Sequence, residues 1–170
     1  MGAGSGTNAV ISAGANTDPA NWRALRYVGT DPAGHSTDRK IATGAAVRIE
    51  ASGVGPLTLN GPVEFVGTAN NLTTTFGGSG VMNINGGINS TNVTNIWPVA
   101  KSGAGTVRIS GTANSWNGTT TVAEGTLLVN GTISTSTNAV SVVANTTNRA
   151  TLGGTGTINR PVSARRAPTS

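Results

Sequence analysis

The sequence predicts an all-β fold, a parallel β-helix of stacked coils, on three observations. Only 10% of the residues are charged, against roughly a quarter in an average soluble domain. The chain is rich in Gly, Thr and Asn, at 25, 27 and 18 of its 170 residues. One apolar phrase, bounded by glycines, returns along the chain. Disordered chains pair low hydrophobicity with high net charge, whereas here 36% of the residues are apolar and recur in short runs. With aromatics at 4%, the interior is expected to consist of Val, Ile, Leu, Ala and Thr, which suit pleated strands.

The phrase is Gly-x-Gly, two apolar positions around a polar one, then Gly. It reads Gly53-Val54-Gly55-Pro56-Leu57-Thr58-Leu59-Asn60-Gly61, then Gly78-Ser79-Gly80-Val81-Met82-Asn83-Ile84-Asn85-Gly86, then Gly103-Ala104-Gly105-Thr106-Val107-Arg108-Ile109-Ser110-Gly111. Gly55, Gly80 and Gly105 stand 25 residues apart. Looser copies end at Gly131 and Arg160. Each copy is a short strand with alternating sides, and glycine permits the tight corners around it. Second strands lie between the copies, such as Val63-Glu64-Phe65-Val66 and Thr119-Thr120-Thr121-Val122. One unit cannot bury its own apolar face. Stacking units so that Leu57, Leu59, Met82, Ile84, Val107, Ile109, Leu127 and Val129 fall in columns buries a continuous interior. Corner Asn and Thr residues are then placed for hydrogen-bonded ladders. A hairpin sandwich offers no reason for a 25-residue period.

The stretch Ser102-Gly103-Ala104-Gly105-Thr106-Val107-Arg108-Ile109-Ser110-Gly111, followed by Trp116-Asn117-Gly118-Thr119-Thr120-Thr121-Val122-Ala123-Glu124-Gly125-Thr126-Leu127-Leu128-Val129-Asn130-Gly131, resembles an autotransporter-associated β-strand repeat. Leu152-Gly153-Gly154-Thr155-Gly156-Thr157-Ile158 is similar to the phrase that usually follows it. The resemblance is close over 101–160, weaker over 53–100, and does not reach 1–50. It implies a right-handed β-helix in a secreted bacterial passenger protein, an adhesin or surface stalk, and it transfers no catalytic residue. The expected organisation is an irregular N-terminal cap or docking segment at 1–45, β-helix repeats at 46–160 making about five to seven coils, and a basic tail at 161–170. That tail is too short to supply a membrane barrel.

The first 45 residues hold Trp22, Tyr27, the sole histidine and three of the six acids. Turn signals at Asp18-Pro19 and Asp31-Pro32-Ala33-Gly34 flank the run around Trp22. Such a segment suits a cap over the first coil's edge, or a docking surface in which Trp, Tyr and Arg are favoured. Net charge is +5 and no acid follows Glu124, so the C-terminal end is basic. Trp22, Arg23, Arg26, Tyr27, Arg160, Arg165 and Arg166 are therefore the candidate inter-subunit contacts. The expected partner is another copy of the chain, with cell-surface glycan as the alternative. Nucleic acid is not expected, because no aromatic follows Trp116 to interleave with the arginines.

No run approaches the roughly 20 apolar residues of a membrane-spanning helix. The start Met1-Gly2-Ala3-Gly4-Ser5-Gly6 lacks a basic, then apolar, leader. The absence of Cys removes disulfides and thiolate metal sites. Neither cofactor nor metal is expected. The acids are Asp18, Asp31, Asp38, Glu50, Glu64 and Glu124, with no shared phase in the repeat, so no carboxylate pair suited to glycoside hydrolysis is expected. Glu50 reads as an outward strand pair with Arg48. His35 with Ser36 and Asp38 is the one arrangement resembling a nucleophilic site, and a solvated loop histidine is the simpler reading. Thr73–Thr75, Thr119–Thr121 and Thr155-Gly156-Thr157 do not recur once per coil, which disfavours an ice-binding ladder. The reading is an extracellular or bacterial cell-surface structural protein, not an enzyme, assembling head-to-tail into filaments. An adhesin passenger fragment is the alternative.

Overall fold

The computed structural model describes residues 23–68, 71–92, 94–144 and 147–166, together with the backbone of Val10–Ala13. Glycine corners cut the chain into strands of two to five residues, and three strands make one coil. The first coil holds β1 (Val10–Ala13), β2 (Arg23–Tyr27) and β3 (His35–Thr37); the second holds β4 (Lys40–Thr43), β5 (Val47–Ala51) and β6 (Leu57–Leu59). In the third are β7 (Val63–Phe65), β8 (Thr74–Gly77) and β9 (Val81–Ile84), and in the fourth β10 (Ile88–Ser90), β11 (Val99–Lys101) and β12 (Thr106–Ile109). The fifth has strands on two sides only, β13 (Thr120–Val122) and β14 (Gly125–Val129). The sixth is complete, with β15 (Thr132–Ile133), β16 (Val140–Ala144) and β17 (Ala150–Gly153), and β18 (Thr157–Ile158) and β19 (Val162–Arg166) begin a seventh.

Each face is a parallel ladder. The first runs β1-β4-β7-β10 and resumes as β15-β18; the second runs through seven strands from β2 to β19; the third through six from β3 to β17. Parallel strands in one sheet are joined right-handedly in nearly all proteins. Here each coil is such a connection, and the fold is a right-handed parallel β-helix, with no helix among the described residues. Residues 23–43, set apart in sequence as part of a cap or docking segment, supply β2, β3 and β4 to the same three ladders. Likewise Val162–Arg166, read as tail, extends the second face as β19.

The two apolar columns form as the repeat requires. On the third face Leu57 pairs in register with Met82, Met82 with Val107 and Val107 with Leu127. Leu59, Ile84, Ile109 and Val129 form the second column, and all eight are at most 2% exposed. Each such side chain contributes on the order of 1.5–3 kcal/mol of transfer free energy. The interior also differs from expectation, because few aromatics does not mean none inside. Trp97, Trp116, Phe65 and Phe76 rank among the largest fully buried side chains. Phe65 and Trp97 stack with centroids 5.5 Å apart.

Between the third and first faces, glycine is required by close approach. A Cβ on Gly131 would overlap the carbonyl oxygen of Gly111 one coil below. The expected ladders line this corner: Asn85 Nδ2 donates to Asn60 Oδ1 at 3.0 Å, and Asn60 Nδ2 donates to Asp38 Oδ1 at 3.2 Å.

Candidate functional surfaces and buried charges

The N-terminal contact residues divide between surface and interior. Trp22 lies outside the described residues. Arg23 is exposed, and Arg26 is committed on one side, its Nε 2.6 Å from Glu50 Oε2. Arg48 Nε stands 2.9 Å from Glu50 Oε1, so Glu50 takes one arginine along its own strand and one across the ladder. Tyr27 is buried and its hydroxyl is 3.1 Å from His35 Nδ1.

His35, Ser36 and Asp38 are not brought together as a nucleophilic site requires. Successive strand residues face opposite ways. His35 shares a column with Leu57 and meets Tyr27, whereas Ser36 pairs with Thr58. Asp38 lies beyond the strand end in the Asn60 ladder. Glu64, on the first face, is 3.0 Å from Lys40 Nζ. Among the described residues no three His, Cys, Asp or Glu side chains gather as a metal site would require.

Sequence reasoning missed the strongest polar features, which are buried cations. Lys101 occupies the interior column between Phe76 and Val122 and is 1% exposed. Its ammonium turns to the corner between the second and third faces. There it donates to the carbonyls of Ser102, Gly103 and Glu124 at 2.9, 2.6 and 3.0 Å. The Glu124 carboxylate accepts the Gly103 N–H at 3.1 Å. Burial pushes the Lys101 pKa down to about 8, with the Glu124 charge acting the other way. A signal existed in sequence: Val99-Ala100-Lys101 repeats the apolar-x-apolar phase of Val47-Arg48-Ile49, with lysine in the inward place.

Arg160 is buried too, so its donors are spent within the chain. Its guanidinium donates to the carbonyls of Ser134 at 2.9 Å and Gly118 at 2.8 Å, and to that of Trp116. It also lies 4.9 Å from the centre of the Trp116 ring. Burial lowers its pKa to about 10. Of the C-terminal contact residues, Arg165 and Arg166 are the exposed ones. Asn114 does related work where the fifth coil lacks its first-face strand. Its Oδ1 accepts the Ile88 N–H at 2.9 Å from the coil below, and its Nδ2 donates to Thr132 O at 2.9 Å in the coil above.

The C-terminal rim is open among the described residues. All five residues of β19 are exposed, and the outermost strand of the third face, β17, is half-exposed or exposed throughout. Residues 99–129 match a family model described as passenger-associated-transport-repeat. The match spans β11 to β14, which carry the Lys101 corner. No curated protein and no solved structure matches the chain significantly. Repeat and solenoid together fit a passenger-type domain of an autotransporter, a class whose place is the cell surface or beyond it.

Proposed function

We propose that this chain, which carries a passenger-associated transport repeat at residues 99–129, is a non-catalytic structural solenoid of the bacterial cell exterior that lengthens by end-to-end stacking. The observation that carries this reading is β19, a five-residue strand at the rim whose residues are all exposed. Such an edge offers a row of backbone donors and acceptors to an arriving strand. A contact between two different ends does not close, so it propagates into a fibre.

Continuing the ladder across the junction gives this stacking a definite register. The second face keeps one register from Arg23 through Val47, Thr74, Val99, Thr120 and Val140 to Val162. One further rung sets Val162–Arg166 against Arg23–Tyr27 of the next copy, with Arg165 opposite Arg26. Like charges directly opposite are destabilising, and salt screens them. Assembly on this reading strengthens as ionic strength rises, and Arg165→Glu promotes it at low salt. Negative-stain microscopy of concentrated protein across a salt series tests the proposal. Fibres that lengthen with salt are expected, and uniform isolated particles throughout would overturn it.

A further inference from the structure

The corner between the second and third faces contains a notch that coil length alone explains. Four residues (102–105) link β11 to β12, whereas two (123–124) link β13 to β14. The fifth coil therefore turns shorter at this corner than the fourth, and Asn148 and Arg149 of the following coil line the recess with it. The resulting cavity is about 410 Å³, within the range of small-ligand sites.

Its lining is polar. Ala104, Glu124, Thr126, Asn148, Arg149 and Thr151 line it. Thr126 and Thr151 are register partners on adjacent rungs, so their spacing follows the strand spacing of about 4.8 Å. Thr106 continues the same column one rung further on. This ladder is not visible in the sequence because its steps are 20 and 25 residues. Hydroxyls at a fixed pitch beside an amide and a guanidinium, with no large apolar side chain, match a chain of hydroxylated rings better than an apolar ligand.

Charge selects among such ligands. The Glu124 carboxylate already accepts the Gly103 N–H and stands beside the Lys101 ammonium. Arg149 is exposed at the rim, and no acid follows Glu124 in the chain. A guanidinium in that position suits a carboxylate, which it can hold bidentately. We infer that the notch at the Ala123-Glu124 corner is a binding site for an anionic saccharide of the uronate class, one to two sugar rings entering alongside the Thr126–Thr151 ladder. This inference does not depend on what the coil ends do.

Titration of the intact chain with tetragalacturonate, followed by amide NMR shifts, tests it, with neutral maltotetraose as the control. Shifts at Ala104, Thr126 and 147–151 that saturate are expected, with little response to the neutral sugar. Arg149→Ala should weaken binding about tenfold, Thr151→Val by a smaller factor, and Arg165→Ser with Arg166→Ser by less than about twofold. Arg149 is exposed, so an unchanged unfolding temperature should accompany its loss of binding. The inference is overturned by the absence of saturable shifts at the notch, by equal binding of maltotetraose, or by an Arg165/Arg166 effect as large as that of Arg149.

Discussion

The second to fourth coils and the fifth to seventh are built from one repeat yet held together differently. In the earlier group the third-face ladder steps 25 residues, from Leu57 to Met82 to Val107, and its two inward columns are wholly apolar. In the later group the step falls once to 20, from Val107 to Leu127, before returning to 25 at Leu152, the fifth coil loses a first-face strand, and burial thins toward β19. Polar side chains take over where backbone is missing. Asn114 replaces strand hydrogen bonds, and Arg160 spans three coils through Trp116, Gly118 and Ser134. A coil can therefore shorten without ending the solenoid, provided a side chain reaches the carbonyls that the lost residues would have satisfied.

Removing those substitutes should affect the C-terminal coils selectively. Arg160→Ala has the largest expected effect. It strips three carbonyls of their donor, and such losses cost about 3–5 kcal/mol. Chemical denaturation should show it, with hydrogen exchange faster over 114–166 than over 57–109.

The Lys101 corner at the junction of the two groups gives a pH test of similar size. Its folded pKa of about 8 lies below the ordinary 10.5. The unfolded chain therefore binds more protons between those values, and stability rises with pH through that window, by on the order of 3 kcal/mol. Lys101→Met should remove this rise, as read from unfolding midpoints at pH values on either side of the window. A wild-type profile that falls instead would contradict the assignment.

Asn114→Ala comes next, at about 2 kcal/mol, since it leaves the Ile88 N–H and the Thr132 carbonyl without their bonds. The two tryptophans give the smallest and sharpest contrast. Trp116 donates to Thr120 Oγ1 at 3.1 Å and receives Arg160 on its ring. Trp97 stacks on Phe65 and its indole N–H has no partner among the described residues. Trp116→Phe should therefore cost about 1 kcal/mol more than Trp97→Phe, measurable as a difference in denaturant midpoint.

This division also explains what was legible in the sequence. The strands around Leu57, Ile84 and Val107 could be read because their period is constant and each alternation has one apolar face. The family resemblance over 101–160 lay in the same kind of pattern. Lys101 and Arg160 escaped because their meaning depends on which carbonyls a fold brings near, and those lie up to 44 residues away. The notch escaped for a related reason: it comes from a difference between two link lengths, and only stacking turns that difference into space. His35, Ser36 and Asp38 are the converse case, close in sequence but sent to different surroundings by strand alternation.

Hydrogen exchange of β19, followed together with sedimentation as concentration and salt increase, tests the central claim most directly. End-to-end stacking predicts that amides of 162–166 exchange quickly in the isolated chain and gain protection in step with the appearance of larger species, while those of β9 and β12 stay unchanged. Larger species with β19 still exchanging freely, or a single small species at every concentration and salt, would contradict it.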